Sequence, residues 1–196
     1  DKPLDQDMIL AIKHTAAFAA LLEKLSTRYN CFAVVRNPLS VLMSWQTVDI
    51  PINRGRIPAA EAFSQELKYR LEEETDVLQR QIQIIHWLCG RFQSNLDEQH
   101  IIRYEDLIDS RGSCLSRVSP AAARLNTSLF SKNQNLLYPQ DRYEAIGQAL
   151  LDSDGPAWHF YRRREVNELM QSVLRQNQKS INPMPGACVS RSAVKQ

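Results

Sequence analysis

The chain has 196 residues, a formal net charge of +2 at pH 7 and 43% hydrophobic residues. This length and composition predict one soluble globular domain with a buried core, and the nearly balanced charge argues against a nucleic-acid or anionic-membrane partner. No apolar run approaches the roughly 20 residues that cross a bilayer, so we predict no membrane span. Any phosphate site must therefore be local.

The first predicted element is a strand that ends on two basic side chains. Residues 8–12 form an apolar run typical of a buried strand, and Lys13 and His14 follow it. Adjacent strand residues point to opposite faces, so only one of these side chains can face a common site if the strand continues through them. His14 has two interpretations: a group that acts in a site, or a surface histidine that caps the next helix.

A helix and a second strand come next. Thr15 can act as the N-cap of the helix, whose apolar stripe at helical spacing consists of Phe18, Leu21, Leu22 and Leu25. Residues 31–35 are apolar, with β-branched and aromatic members, which indicates a short buried strand. Strands joined by a helix pair in parallel, so this strand–helix–strand unit predicts a parallel sheet.

Arg36 ends the second predicted strand, and a helix opens just behind it. Pro38 fits the first turn of a helix, where its missing N–H costs nothing. A guanidinium beside a helix N-terminus is suited to a phosphate, because it donates two parallel hydrogen bonds and the helix adds free N–H groups. Ser44, eight residues after Arg36, can add a hydroxyl to the same anion. The alternative is that Arg36 makes a surface pair and Ser44 only packs.

The middle of the chain predicts a long amphipathic helix over residues 58–93, either continuous or broken, after a loop at 49–57. Its apolar stripe is Phe63, Leu67, Leu71, Leu78, Ile82, Ile85, Cys89 and Phe92. The stripe indicates packing against the core, since the heptad pattern is not strict enough for a coiled coil.

A further short strand, Ile101-Ile102, leads into Arg103-Tyr104-Glu105-Asp106-Leu107. Beyond it we predict a helix near 113–125, interrupted or restarted around Ser119-Pro120, and further helices near 142–151 and 165–176. The basic run 162–164 could close over a phosphate, but a solvated start of a helix is the preferred interpretation. Residues 1–176 are predicted to form the domain, and 177–196, which contain two prolines, a flexible tail.

The stretches 31–45 and 103–107 resemble the 3′-phosphate motif and the RYEDL element of sulfotransferases that use 3′-phosphoadenosine 5′-phosphosulfate (PAPS). The resemblance implies that Arg36 and Ser44 bind the 3′-phosphate of PAPS and that Tyr104 packs against adenine. It also implies His14 as a candidate general base and Lys13 as a candidate for stabilising charge, with no metal. The implied fold is a three-layer α/β fold of the P-loop nucleotide-kinase type, with a parallel sheet flanked by helices.

The Gly-rich loop that holds the 5′-phosphosulfate in this family is absent from the sequence. None of the six glycines lies in such a loop, so we expect the sulfotransferase domain to be incomplete at its N-terminus. The alternative function is a non-catalytic nucleotide-binding module without that loop. A P-loop enzyme that uses ATP is disfavoured, because ATP has no 3′-phosphate for Arg36 and Ser44.

The implied reaction moves a sulfuryl group from PAPS to a hydroxyl or amine of a small-molecule or carbohydrate acceptor and releases 3′,5′-diphosphoadenosine. The four cysteines are far apart and match no metal-ligand spacing. We interpret them as free thiols in a reducing compartment, which predicts a cytoplasmic protein.

Overall fold

Two short strands form a parallel sheet in an otherwise helical chain. The computed structural model describes residues 10–135 and 137–181, with side chains up to residue 176. Strand β1 (Ala33–Val35) pairs with β2 (Ile101–Arg103), with Val35 opposite Arg103. The predicted α/β class and parallel pairing are confirmed in this coarse sense. The predicted three-layer fold, with helices on both faces of a larger sheet, is not seen in the described part of the chain.

Ten helices are described around this sheet. They are α1 (Thr15–Ala20), α2 (Leu22–Leu25), α3 (Pro38–Trp45), α4 (Pro58–Glu61), α5 (Gln65–Glu73), α6 (Val77–Asn95), α7 (Tyr104–Asp109), α8 (Tyr143–Leu151), α9 (Ala157–Phe160) and α10 (Arg163–Ile181). Short 3₁₀ turns lie at Pro51–Arg54, Glu98–His100, Ser113–Arg117, Pro120–Arg124 and Gln140–Arg142. Two of these turns replace the helix predicted over 113–125. Helix α10 reaches Ile181, so the predicted tail begins helical, and residues 182–196 lie outside the described residues.

The predicted first strand is wrong where it is described. Residues 10–13 have no regular structure, and the side chains of Leu10 and Ile12 are 71% and 68% exposed. Residues 8 and 9 lie outside the described residues. The helix cap is His14 rather than Thr15, because the His14 Nδ1 accepts a hydrogen bond from the Ala17 N–H at 3.2 Å. An apolar run is consistent with a strand, but it forms one only where a neighbouring strand pairs with it.

The predicted long helix is divided into α4, α5 and α6. Ser64 caps α5 by accepting a hydrogen bond from the Leu67 N–H at 3.3 Å, and Asp76 caps α6 by accepting one from the Gln79 N–H at 2.8 Å. These side chains satisfy N–H groups that would otherwise lack a partner at each helix start. The apolar stripe is buried at Leu67, Leu71, Ile82 and Ile85, but Phe63 is 59% exposed.

Helix α3 lies in the core and therefore fixes the position of the residue that precedes it. Its side chains Leu39, Leu42 and Met43 are fully buried in a cluster completed by Ile82, Ile85, Tyr138, Tyr143, Ile146, Leu150, Ala157, Val166, Met170 and Val173. A second cluster joins α4, α5 and α6 through Ile52, Ala60, Leu67, Leu71 and Ile84. Because α3 cannot shift without disturbing the first cluster, the end of β1 is held rigidly.

Candidate functional site

Arg36 lies where the sequence predicts it, between the end of β1 and the start of α3. Strand β1 ends at Val35, and Pro38 is the first residue of α3. Asn37 is buried and caps this helix, since its Oδ1 accepts a hydrogen bond from the Leu39 N–H at 3.1 Å. The strand–arginine–helix order predicted for a phosphate site is therefore present.

Tyr104 lies beside Arg36 because their strands are parallel. Val35 and Arg103 are paired in register, so the residue after each strand emerges at the same sheet edge. The Arg36 Cζ atom is 4.9 Å from the centroid of the Tyr104 ring, a cation–π contact. Arg36 thus covers one face of the ring, and a planar base can stack only against the other face. The fold brings together two of the three predicted nucleotide-binding residues.

The guanidinium of Arg36 is held by neutral acceptors. Its Nε donates to Asn133 Oδ1 at 2.8 Å, and its Nη2 donates to Tyr138 Oη at 3.1 Å and to the carbonyl oxygen of Lys132. Among the described residues no carboxylate forms an ion pair with Arg36. We call residues 131–135 the 131–135 loop. Two of the three acceptors of Arg36, Asn133 and Lys132, therefore lie in this loop.

Asn133 links Arg36 to an acidic side chain. Its Nδ2 donates to Glu105 Oε1 at 2.7 Å, while its backbone carbonyl accepts hydrogen bonds from Ser40 Oγ at 3.1 Å and Tyr143 Oη at 3.3 Å. One amide side chain therefore lies between a guanidinium and a carboxylate. This arrangement satisfies both charged groups without direct contact between them.

Tyr161 holds Glu105 from the other side. Its hydroxyl lies 2.6 Å from Glu105 Oε2 and 3.2 Å from the carbonyl oxygen of Val35. A hydroxyl has one proton, and the shorter contact to the carboxylate is the charge-assisted one. Burial raises the pKa of Tyr161, and Glu105 raises it further. Tyr161 is therefore a hydrogen-bond donor throughout the physiological pH range.

Lys132 holds the second predicted nucleotide residue in place. Its backbone N–H donates to Tyr104 Oη at 2.9 Å, while its side chain is exposed. The Tyr104 ring is half-buried. The loop therefore positions both Arg36 and Tyr104.

Ser40, rather than Ser44, donates to this network. Ser40 is fully buried and bonds to the loop, whereas Ser44 is half-buried and its hydroxyl has no hydrogen bond among the described residues. The two serines are four residues apart on α3 and share a face, with Ser44 one turn further from Arg36. Sequence reasoning missed Ser40, although its place one turn after Arg36 was a usable signal. The role predicted for Ser44 stays a prediction.

Lys13 and His14 are exposed residues before α1. The His14 Nδ1 is occupied by the helix cap, and its ring lies 5.9 Å from that of Phe18. Within the described residues, no hydrogen bond, ion pair or ring contact connects either side chain to Arg36 or to the 131–135 loop. The catalytic roles predicted for them stay predictions.

Two of the arginines at 162–164 contact residues near the ends of helices. Arg163 lies 4.4 Å from the Trp158 ring centroid and donates to the carbonyl oxygen of Ser153 at 2.8 Å. Arg164 pairs with Glu168 at 2.7 Å, one turn further along α10. The interpretation as a basic helix start agrees with these contacts.

A scan of protein-family models and searches of curated proteins and of solved structures gave no significant match to the chain. In the described part of the chain, no helix combines the length and apolar character that crossing a membrane requires. The same residues contain no group of three or more His, Cys, Asp or Glu side chains arranged to hold a metal ion. The site must therefore be interpreted from its own geometry.

Proposed function

We propose that this chain is a PAPS-dependent sulfotransferase, or the greater part of one, of the three-layer nucleotide-kinase type. One observation carries the proposal: Arg36 and Tyr104 follow two parallel strands and meet at one sheet edge, with the guanidinium 4.9 Å from the ring centroid. A cation beside an aromatic ring is suited to a phosphate attached to an adenosine. The resemblance of residues 31–45 and 103–107 to the family motifs supports the same assignment.

The chemistry of Arg36 favours a phosphate over its present partners. The guanidinium donates to amide, carbonyl and phenol oxygens, all of them neutral. A phosphate adds a negative charge of its own and can accept two parallel N–H···O bonds from one guanidinium, which neutral oxygens on separate residues do not provide. A 3′-phosphate would therefore compete well for Arg36, and adenine would stack on the face of the Tyr104 ring that Arg36 does not cover. Ser44, nearly two turns along α3, would add its hydroxyl, which makes no hydrogen bond among the described residues.

The proposed reaction is an in-line transfer. The oxygen of the acceptor forms a bond to sulfur, the bond from sulfur to the bridging phosphate oxygen breaks, and 3′,5′-diphosphoadenosine leaves. His14 accepts the proton of the acceptor hydroxyl and so acts as the general base. Lys13 stabilises the negative charge that grows on the bridging oxygen. The acceptor is a small molecule or a carbohydrate, and we propose a cytoplasmic location.

A second candidate is a nucleotide-binding module without transferase activity. The sequence favours it at one point, since none of its six glycines lies in a Gly-rich phosphate loop. Both candidates bind 3′,5′-diphosphoadenosine, but only the enzyme releases it from PAPS when an acceptor is present.

Calorimetric titration with 3′,5′-diphosphoadenosine and with 5′-AMP tests what the two candidates share. We expect tighter binding of the ligand with the 3′-phosphate. The Arg36→Ala variant should lose about 1.5–3 kcal/mol of that binding free energy, the value of a hydrogen bond to a charged group. Arg164→Ala is the matched control, because Arg164 is exposed and pairs within α10. Equal affinities for both nucleotides would refute the proposed site.

A turnover assay separates the candidates. The chain is incubated with PAPS and a panel of phenol, amine and sugar acceptors, and release of 3′,5′-diphosphoadenosine is followed by chromatography. Acceptor-dependent release supports the enzyme, and His14→Ala should then lower the rate without changing nucleotide affinity. Tight binding without release supports the module.

A further inference from the structure

We infer that the 131–135 loop, through Asn133, is an internal competitor that occupies Arg36 and must leave before a 3′-phosphate binds. This inference rests on the proposed function, because it concerns the regulation of the same site. It assigns to Asn133 a role in setting nucleotide affinity, distinct from the binding residues that the motifs predict.

The hydrogen-bond capacity of Arg36 makes the competition unavoidable. A guanidinium has five N–H bonds: one on Nε and two on each Nη. The Nε–H is used by Asn133, and both Nη2–H groups are used, by Lys132 and Tyr138. A phosphate bound through two parallel bonds needs either Nε with Nη2 or Nη1 with Nη2. Either geometry displaces at least one of the present contacts.

The closed loop is stabilised by contacts that an incoming nucleotide would have to replace. Asn133 Nδ2 donates to Glu105, Lys132 N–H donates to Tyr104, and Ser40 donates to the Asn133 carbonyl. If the open state is a minor one, the apparent affinity for the 3′-phosphate falls by the fraction of molecules that are open. The same closure would favour release of 3′,5′-diphosphoadenosine after the reaction.

Opening of the loop would expose little apolar surface. Ser131, Lys132 and Gln134 are exposed, Asn133 is half-buried, and the contacts of Lys132 and Asn133 with Arg36 and Tyr104 are polar. Water can replace such contacts, so opening exposes little apolar surface. Tyr138, by contrast, is 4% exposed and belongs to the main hydrophobic cluster. It anchors the chain that follows the loop, so the loop can move without unfolding the core.

The test is titration of a loop variant and of a control variant with 3′,5′-diphosphoadenosine. Asn133→Ala removes the competing oxygen from Arg36 and the bond to Glu105, and we expect affinity to rise by about 3- to 10-fold, the value of one net hydrogen bond. Asn126→Ala is the matched control, since Asn126 is exposed, lies outside the loop and accepts a bond from Arg111 Nη1 at 3.1 Å. Affinity for 5′-AMP should not change in either variant.

A second variant guards against misfolding of the first. Tyr138→Phe keeps the buried ring and removes only the hydroxyl that accepts from Arg36 and donates to Lys132. We expect about a 2- to 5-fold gain in affinity, with the melting temperature reported for each variant. If the wild type binds 3′,5′-diphosphoadenosine, and Asn133→Ala and Tyr138→Phe bind it no more tightly than the wild type does, the loop is not a competitor. The proposed function then stands. If neither the wild type nor any variant binds, both proposals fail.

Discussion

The Arg36 site and the surroundings of His86 are two polar clusters with opposite construction. His86 is 7% exposed; its Nδ1 accepts a hydrogen bond from the Ala157 N–H at 3.2 Å, and its Nε2 lies 2.9 Å from Ser153 Oγ. Its partners belong to the packed corner between α8 and α9. Arg36 is half-buried, and most of its partners lie in one loop with exposed neighbours. The difference teaches that the His86 cluster stabilises the fold, whereas the Arg36 site can exchange hydrogen-bond partners.

The hydrogen bonds of His86 exclude a role as a base toward Ser153. Because Nδ1 accepts a bond from a backbone N–H, the ring proton is on Nε2 and is donated to Ser153 Oγ. That hydroxyl donates to the carbonyl oxygen of Leu150 at 2.6 Å. A serine nucleophile needs a base that accepts its proton. This His–Ser pair is therefore structural, although it resembles a catalytic dyad in composition.

The largest expected effect comes from removing the buried ring. His86→Ala leaves a cavity and a buried Ala157 N–H without its partner, so the free energy of unfolding should fall by about 2–4 kcal/mol. Chemical denaturation followed by circular dichroism measures this change. His159→Ala is the matched control on α9, where the exposed side chain predicts a change within about 0.5 kcal/mol. Equal losses of unfolding free energy in the two variants would contradict the inference that the buried His86 side chain stabilises the fold more than the exposed His159 side chain.

Acid should weaken the His86 cluster at mildly low pH. Burial lowers the pKa of His86, and nearby Arg163 and Arg70 act in the same direction, while Asp154 opposes them. Below about pH 6.5 the unfolded chain binds a proton at this ring that the folded chain resists. The unfolded state then holds more protons, so stability falls as the pH drops, by up to about 1.4 kcal/mol per pH unit.

Urea unfolding between pH 8 and pH 5 tests this expectation. His86→Gln keeps an acceptor for the Ala157 N–H but cannot titrate, and it should lack the wild-type slope. Carboxylates change the stability at lower pH than His86 does. Burial opposes ionisation of Glu61, but hydrogen bonds from Arg56 and the Ile57 N–H leave the pKa of Glu61 lowered. Stability from Glu61 is present above about pH 4.3 and lost as the pH falls further. A slope that persists in His86→Gln would assign the acid effect to another group.

The smallest effects separate the two serines of α3. Ser40→Ala removes a buried hydroxyl and leaves the Asn133 carbonyl with one donor fewer, so it should lower the free energy of unfolding by about 1 kcal/mol. Ser44→Ala removes a hydroxyl without a hydrogen bond among the described residues and should change stability by less than about 0.5 kcal/mol. Thermal unfolding of both variants measures the difference. If Ser44→Ala were the more destabilising, the assignment of Ser40 to the network would be wrong.

Local sequence signals predicted the elements that flank the site. The apolar runs at 31–35 and 101–102 predicted strands, and Pro38 predicted the start of α3, because each signal depends on residues close in the chain. The same reasoning failed for residues 10–13. A strand exists only through its partner, and no partner pairs with that segment in the described residues.

The sequence by itself determined that Arg36 lies at the junction of a strand and a helix and that Tyr104 follows another strand. Tertiary structure alone decided that these two residues meet, since the parallel register of β1 and β2 sets their distance. Tertiary structure also decided that the Asn133 side chain accepts a hydrogen bond from the Arg36 guanidinium. The polar residues 126–142 predict a loop, and no local pattern shows which side chain such a loop will contact. Hydrogen-bond partners distant in sequence are chosen by packing.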